Sequence, residues 1–183
     1  MNTAIYDSLA LLLTYPAEDY QQRIQEAVQM VPLECRTDLE QFAEGVRRFS
    51  TNELDELFTR TFDLNPLCSL EMGWHLFGEN YERGLVLVRM REQLRLHGLP
   101  ESTELPDHLT HVLRLVSRME WSAGADFAGA CVLPALEKML QAMNGKNNPF
   151  EWVLQAVRNL LLCEFPGITW VAPENELALR VLA

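Results

Sequence analysis

The sequence predicts an all-α fold: one domain, a multi-helix bundle of about eight helices. Three observations predict it. Apolar residues recur at i, i+3, i+4 and i+8 through nearly the whole chain, the period of helices with one buried face. Capping patterns stand in front of several of those runs. No segment of useful length alternates with the period of two that a strand requires, and there is no internal repeat. With 183 residues, 48% of them apolar, the chain can bury a core without disulfide or metal staples, and one domain accounts for its length.

Ala4 to Leu13 is apolar on most faces and predicts a buried first helix. It ends at Tyr15-Pro16, because proline pushes the preceding residue out of the α region. A second helix is expected from Glu18 to about Met30, stopped by Pro32. Thr37 with Glu40 has the capping-box pattern and sets the expected start of a third. Ser50 with Glu53 repeats that pattern, with Phe49 and Leu54 as a hydrophobic staple. The fourth helix it opens carries the stripe Leu54, Leu57, Phe58 and Phe62. Asp63 to Gly78 breaks the periodicity. It combines Pro66, Gly73 and Gly78 with Leu70, Met72, Trp74, Leu76 and Phe77, and reads as an apolar connection packed on the helices. It is long for a bundle loop, and such loops are usually functional or mobile.

A fifth helix is expected from about Glu79 to His97, closed by Gly98. After the loop at residues 100–105, Pro106 stands at a helix start, where its missing N–H costs nothing. Leu109, Val112, Leu113, Val116 and Met119 give that sixth helix its buried stripe. A seventh covers roughly Ser122 to Asn144, kinked or split by Pro134 and ended by Asn144-Gly145. Asn148, Pro149 and Glu151 open an eighth, to about Cys163. The expected domain is 1–164. The tail, 165–183, has two prolines and a short apolar end, and docks or stays mobile.

Charge narrows the partners. Asp+Glu number 26 against 15 Lys+Arg, a net charge of -11, and residues 1–60 alone hold eleven acids and five bases. Such a chain repels phosphate backbones and anionic membrane surfaces, so neither nucleic acid nor membrane is expected as a partner. A basic protein or peptide is permitted, and its encounter would be electrostatically steered. The N-terminus lacks a basic region and a cleavage site, and no apolar run approaches the ~18 residues of a membrane span. Cys35, Cys68, Cys131 and Cys163 are widely and irregularly spaced. They read as free thiols, small buried hydrophobes in a reducing, cytoplasmic compartment.

Little in the sequence supports catalysis, and no catalytic residue, cofactor or metal is expected. Gly145-Lys146 is not a P-loop, because Leu140 stands where the first glycine belongs and Asn147 follows the lysine. His108 and His111 are three apart with Asp107 beside them. A helical metal site would need two further ligands, and His75 is the only plausible contributor. Ordinary helix-start polarity is the preferred reading. Gly124, Ala125, Ala128 and Gly129 suit a close helix crossing. What stands out is a collection of polar residues at the interruption: Arg60, Asp63, His75, Glu79, Glu82 and Arg83 flank the Asp63–Gly78 connection, and Asp107 and His108 open the helix after the second loop. One reading is a solvated ion-pair surface with capping. The other is a groove with charged rims and an apolar floor, suited to a peptide.

Several blocks carry a family resemblance. Phe58-Thr59-Arg60-Thr61-Phe62-Asp63-Leu64-Asn65-Pro66 resembles the FxRxFDLxP signature of the nitrate reductase delta-subunit chaperones of the NarJ type. His75-Leu76-Phe77-Gly78-Glu79 and Arg83-Gly84 are similar to the HxFGE…RG stretch that follows in that family. Gly98-Leu99 and Leu105-Pro106-Asp107-His108-Leu109 resemble its GL…LPDHL segment, related to the motif of the wider TorD and DmsD relatives. Leu11-Leu12-Leu13-Thr14-Tyr15-Pro16 is similar to the LLxYP opening. These blocks occur in family order over about residues 5–120.

The resemblance implies a TorD-like helical fold and a dedicated, non-enzymatic assembly chaperone for a molybdoenzyme, monomeric or dimeric. Such proteins bind the N-terminal segment of the catalytic subunit. They hold it until the molybdenum–bis(guanine dinucleotide) cofactor is inserted, with the insertion machinery as a further partner, and bind no cofactor stably themselves. Nitrate reductase is the default client. Carried over by motif, Arg60, Asp63, His75, Glu79, Arg83, Pro106, Asp107 and His108 form the expected peptide-binding set, with Asp107 and His108 foremost. Arg60 with Asp63 is alternatively a structural pair that orders the connection. Gly78 and Gly84 are expected to be backbone and packing requirements. Two other classes remain open: an acidic helical interaction module unrelated to molybdoenzymes, and a small metal-dependent hydrolase using His75, His108 and His111.

Overall fold

The computed structural model describes residues 1–168 and 179–182. Among them there are about ten helices and no strand. Helix α1, Thr3–Leu12, is capped by Asn2, whose side chain accepts from the Ala4 N–H at 3.2 Å. Tyr20 opens α2, Tyr20–Met30, and its hydroxyl donates to the Leu12 carbonyl at 2.6 Å, tying the two helices together in the interior. Helix α3, Leu33–Val46, starts behind Pro32 rather than at Thr37, which lies inside it. The Thr37–Glu40 pattern is therefore not a cap. Pro32 has no N–H to leave orphaned and is already set at φ -55, so the helix starts there. In α4, Thr51–Phe58, the Ser50–Glu53 capping box forms with both of its hydrogen bonds.

The chain leaves α4 through a π turn, Thr59–Asp63. That turn keeps Phe62 in the core. Its ring lies 4.9 Å from that of Phe58 and 5.1 Å from that of Phe150, while Phe42 packs 5.4 Å from Phe150. Inside the expected connection the structure places a helix, α5, Met72–Phe77. Helix α6, Tyr81–Leu96, ends before Gly98 at φ +65. Helix α7, Leu109–Val116, is capped by His108; Pro106 stands outside it in a buried turn, so the expected proline at the helix start is corrected. The predicted seventh helix is split into α8, Trp121–Phe127, a second π turn, Ala128–Val132, and α9, Leu133–Met143. Pro134 falls in the first turn of α9. The π turn just before it absorbs the hydrogen bond a mid-helix proline would break. This split and α5 account for the two helices beyond the expected eight.

Helix α10, Phe150–Glu164, lies along α3, while α1 packs on α7 and α2, and α5 on α6 and α9. Phe165 is buried, Leu182 is buried, and Leu179 and Val181 pack against the core. The Arg89 guanidinium donates to the Leu179 carbonyl. The rest of the predicted tail, 169–178 and 183, lies outside the described residues. Among the described residues no helix is long and apolar enough to cross a membrane. Cys35, Cys68 and Cys131 are buried, and burial pushes the Cys35 thiol up to about 12. Cys163 is exposed, against expectation, because the last turn of α10 brings it to the surface.

Gly84 differs from its expected packing role. A Cβ built at Gly84 meets no atom within 4 Å, and the residue sits inside α6 on an exposed face. Gly84→Ala should therefore raise stability by about 0.5–1 kcal/mol through helix propensity, a gain of a few degrees in Tm read by thermal unfolding. A lower Tm would contradict the open environment of this residue.

Candidate functional site

Two distant segments are zipped together beside α5. The Met72 N–H donates to the Asp107 carbonyl at 2.9 Å and the Leu109 N–H to the Leu70 carbonyl at 2.9 Å, an antiparallel bridge between Glu71 and His108. The Asp107 side chain closes the link. Its Oδ2 accepts the Gly73 N–H at 3.0 Å, in the first turn of α5. Arg83 Nε lies 3.8 Å from the same oxygen, and the Arg83 guanidinium sits 5.5 Å above the Trp74 ring. Asp107 is fully buried, and its Oδ1 has no hydrogen-bond partner among the described residues. Burial lifts its pKa to about 6 against the pull of Arg83 and of the Gly73 N–H.

Asp107 thus stands two residues ahead of α7, not in its first turn. It caps the neighbouring short helix and offers no surface to a ligand. Pro106 is buried beside it. His108 does cap α7: its Nδ1 accepts the Thr110 N–H at 3.3 Å and lies 2.8 Å from Thr110 Oγ1. Burial lowers its pKa to about 4, so the ring is neutral at pH 7, and this pattern assigns the proton to Nε2. His75 is buried, and its Nε2 lies 2.7 Å from the Ser69 carbonyl, to which it donates. His111 Nε2 lies 3.0 Å from Ser102 Oγ. Each of the three rings is engaged in its own separate hydrogen bond. Among the described residues no group of three or more His, Cys, Asp or Glu side chains is placed to hold a metal.

The wall built by this link borders a cavity of about 600 Å³, lined by Pro66, Leu67, Trp74, His75, Lys138 and Gln141 among others. Its lining is mostly apolar. Trp74 is fixed in the wall by its Nε1–H, which donates to the Pro66 carbonyl at 2.8 Å. The Lys138 ammonium donates to the His75 carbonyl and ties α9 to α5. Gly78 closes the wall at φ +59 and ψ -131, a conformation open only to glycine without strain. Leu64 and Leu67, 72% and 63% exposed, carry the apolar surface outward along the connection. A second, smaller cavity opens on the other side of residue 63, between α1 and the loop before α7.

The expected set is thus divided. His75, Arg83, Pro106 and Asp107 build the wall, and His108 and Asp63 face the smaller cavity. Arg60 and Glu79 are exposed, and among the described residues their side chains make no hydrogen bond or ion pair. The alternative Arg60–Asp63 pair is not found among the described residues. The wide π turn rotates the two side chains apart, and Asp63 accepts from the Tyr15 hydroxyl instead. Tyr15, Glu104, Lys138 and Gln141 line these two cavities from outside the expected set. Nothing local to Lys138 or Gln141 marks them, since they reach the cavity from a helix some sixty residues away. Tyr15 stands in a recognisable motif whose role only the pairing with Asp63 explains.

Fold and site together define an all-α bundle with an apolar groove walled by a short, side-chain-capped helix. Residues 28–150 match the nitrate reductase delta subunit family, and the chain belongs to that family. It is 27% identical over 123 residues to a protein of Bacillus subtilis named probable nitrate reductase molybdenum cofactor assembly chaperone NarJ, an alignment covering 64% of this chain and 67% of that one. It is 29% identical over 122 residues to the Escherichia coli K12 nitrate reductase molybdenum cofactor assembly chaperone NarJ. That alignment covers 63% of this chain and 52% of the relative, so the match spans about half of that protein's length.

Proposed function

We propose that this protein is a dedicated cytoplasmic chaperone of the molybdenum subunit of nitrate reductase or a close relative. It binds that subunit's N-terminal segment and keeps it competent for cofactor insertion. It catalyses no reaction of its own. The observation that carries the reading is the 600 Å³ apolar cavity walled by the connection, with Leu64 and Leu67 exposed beside it, in the region that matches the family. An amphipathic segment could bury apolar side chains there, while the net charge of -11 speeds its encounter with basic residues. Asp107 and Arg83 act from behind, by holding α5 and Trp74 in place.

Calorimetric titration with a synthetic peptide of the catalytic subunit's N-terminal segment tests this. Trp74→Ala and Leu67→Asp should each weaken binding about tenfold or more, with Tm almost unmoved for Leu67→Asp because that side chain is exposed. Hydrogen exchange should show protection across residues 63–78 on binding. Parental affinity in both variants, or tight binding without protection there, would move the groove elsewhere. Failure to copurify with a molybdenum-free catalytic subunit would favour an unrelated interaction module.

A further inference from the structure

Helices α3 and α10 run antiparallel, and three contacts fix their register. A Cβ built at Gly45 stands 3.0 Å from Pro149 Cβ, the Phe42 and Phe150 rings lie 5.4 Å apart, and Asn159 Nδ2 donates to Asp38 Oδ2 at 2.7 Å. Positions fall along α3 as they rise along α10. One turn beyond the Asp38–Asn159 bond, the same register brings Cys35, in the first turn of α3, to Cys163, in the last turn of α10. Cys35 is fully buried and Cys163 is exposed, and the two thiols meet side chain to side chain.

The surroundings give the two thiols unequal roles. Burial holds Cys35 up at about 12, and the charges of Cys163, Asp38 and Glu34 push in the same direction. Cys35 is therefore a protonated thiol at neutral pH, shielded from solvent and inert by itself. Cys163 is the one of the four cysteines that solvent reaches. The Tyr6 hydroxyl adds an independent observation. Tyr6 is 1% exposed, its hydroxyl makes no hydrogen bond among the described residues, and the charges of both Glu164 and Cys35 bear on it. A buried hydroxyl is costly to leave unpaired. An unused donor thus lies near the buried sulfur, where it can donate to that sulfur as its own proton departs.

We propose that Cys35 and Cys163 are a redox modification site: hydrogen peroxide oxidises exposed Cys163, and Cys35 resolves the product as a disulfide that staples the start of α3 to the end of α10. The Cys163 thiolate attacks one peroxide oxygen, the O–O bond breaks, and the other oxygen leaves as hydroxide, which is protonated to water. Cys163 is then a sulfenic acid. The Cys35 sulfur attacks the Cys163 sulfur, the S–O bond breaks, and the Cys35 proton leaves with the sulfenic hydroxyl as a second water. The two thiols lose two electrons and two protons, and one peroxide becomes two waters. The loop so closed runs over most of the chain, so the staple restricts the unfolded state strongly. It sits where α1 also meets α10, since the N-terminal ammonium lies 4.0 Å from Glu164. Neither cysteine lines the larger groove, so the site is independent of the peptide-binding reading.

The test treats the reduced full chain with stoichiometric hydrogen peroxide, then blocks the remaining thiols and maps the peptides by mass spectrometry. The expected product is a single chain that has lost two hydrogens and yields a linked Cys35–Cys163 peptide. Its Tm should be about 5 °C or more above that of the reduced protein, and dithiothreitol should reverse both changes. Cys163→Ser, at an exposed position, should form no disulfide and leave Cys35 unoxidised in the folded protein. Cys35→Ala should stop at the first step, with a sulfenic acid on Cys163 trapped by dimedone. If Cys35→Ala does not fold, Cys163→Ser and the parent still decide the matter. Linkage of two chains through Cys163, pairing with Cys68 or Cys131 instead, or oxidation of Cys163 to the sulfinic acid while Cys35 stays a thiol would each overturn the proposal. So would a Cys35–Cys163 bond that lowers Tm, because the thiols would then meet only in a distorted chain.

Discussion

Gly73→Ala should cost about 2–4 kcal/mol and lower Tm by roughly 5–12 °C. A Cβ at position 73 would stand 2.6 Å from Asp107 Oδ2, with Arg83 Cγ and Val86 Cγ1 each at 3.5 Å. The carboxylate cannot swing aside cheaply. It is fully buried and held by the N–H of Gly73 itself. If it rotates, it loses that bond in the interior and leaves both the N–H and the carboxylate unpaired. If α5 lifts instead, the Met72–Asp107 and Leu109–Leu70 bonds are stretched and Trp74 leaves the groove wall. Gly78→Ala acts by a different route. A Cβ there meets nothing within 4 Å, so its cost is the strain of φ +59, about 1–3 kcal/mol. Urea unfolding of Gly73→Ala, Asp107→Ala and the double variant separates the steric account from a general weakness of α5. The steric account requires the double variant to be more stable than the sum of the single losses by 1 kcal/mol or more. Strict additivity would mean that the Cβ and the carboxylate do not collide.

The parts of this fold legible in the sequence are those whose stabilising partner lies within one helical turn. Ser50 caps against Glu53, three residues away, and the box forms as read. Gly98 and Gly145 take positive φ just past helix ends. The buried stripe of α7, from Leu109 to Val116, follows from its period alone. Helix α5 was not legible, because six residues are too few to hold a helix by themselves. Its cap, Asp107, comes from 34 residues further along the chain. For the same reason Asp107 looked like the start of its own helix, when its side chain serves another. Thr37 misled in the opposite direction: its pattern was sound, but Pro32 had already begun the helix. Of the site, the motif residues marked the right region, while the sorting of buried from exposed members depended on packing. The π turn after α4 turned Asp63 away from Arg60 and toward Tyr15, which no i, i+3 rule anticipates.

Asp107 and His108 are adjacent and both buried, and burial moves their pKa values in opposite directions, so each variant should remove one of two opposed pH dependences. The folded-state pKa of Asp107 is raised from 3.8 to about 6 by burial, which outweighs Arg83 and the Gly73 N–H. A raised carboxyl contributes stability that is fully present below its unfolded pKa and is lost as pH rises through the folded value. Its window is therefore pH 4 to 6, and its amplitude is roughly 2–3 kcal/mol. His108 is lowered by burial from 6.5 to about 4. It contributes stability that is present above pH 6.5 and is lost as pH falls toward 4, with a comparable amplitude and the opposite slope. Burial lowers His75 and His111 as well, in the same sense as His108. Asp107→Asn keeps an acceptor for the Gly73 N–H while removing the charge. Relative to the parent it should gain roughly 2–3 kcal/mol as pH rises from 4 to 6.5. His108→Asn keeps a cap for α7 while removing the ring. Relative to the parent it should gain as pH falls over the same range. Both differences are read from urea midpoints across pH 4–7, and Tm follows in the same order. Because Asn preserves the cap of α5, the Asp107→Asn protein should keep Trp74 in place and bind the peptide at close to parental affinity, whereas Asp107→Ala should not. A pH-independent difference for Asp107→Asn would show that the carboxyl titrates at its ordinary value. A large loss of peptide affinity at unchanged stability would instead bring Asp107 out of the wall and into contact with the peptide.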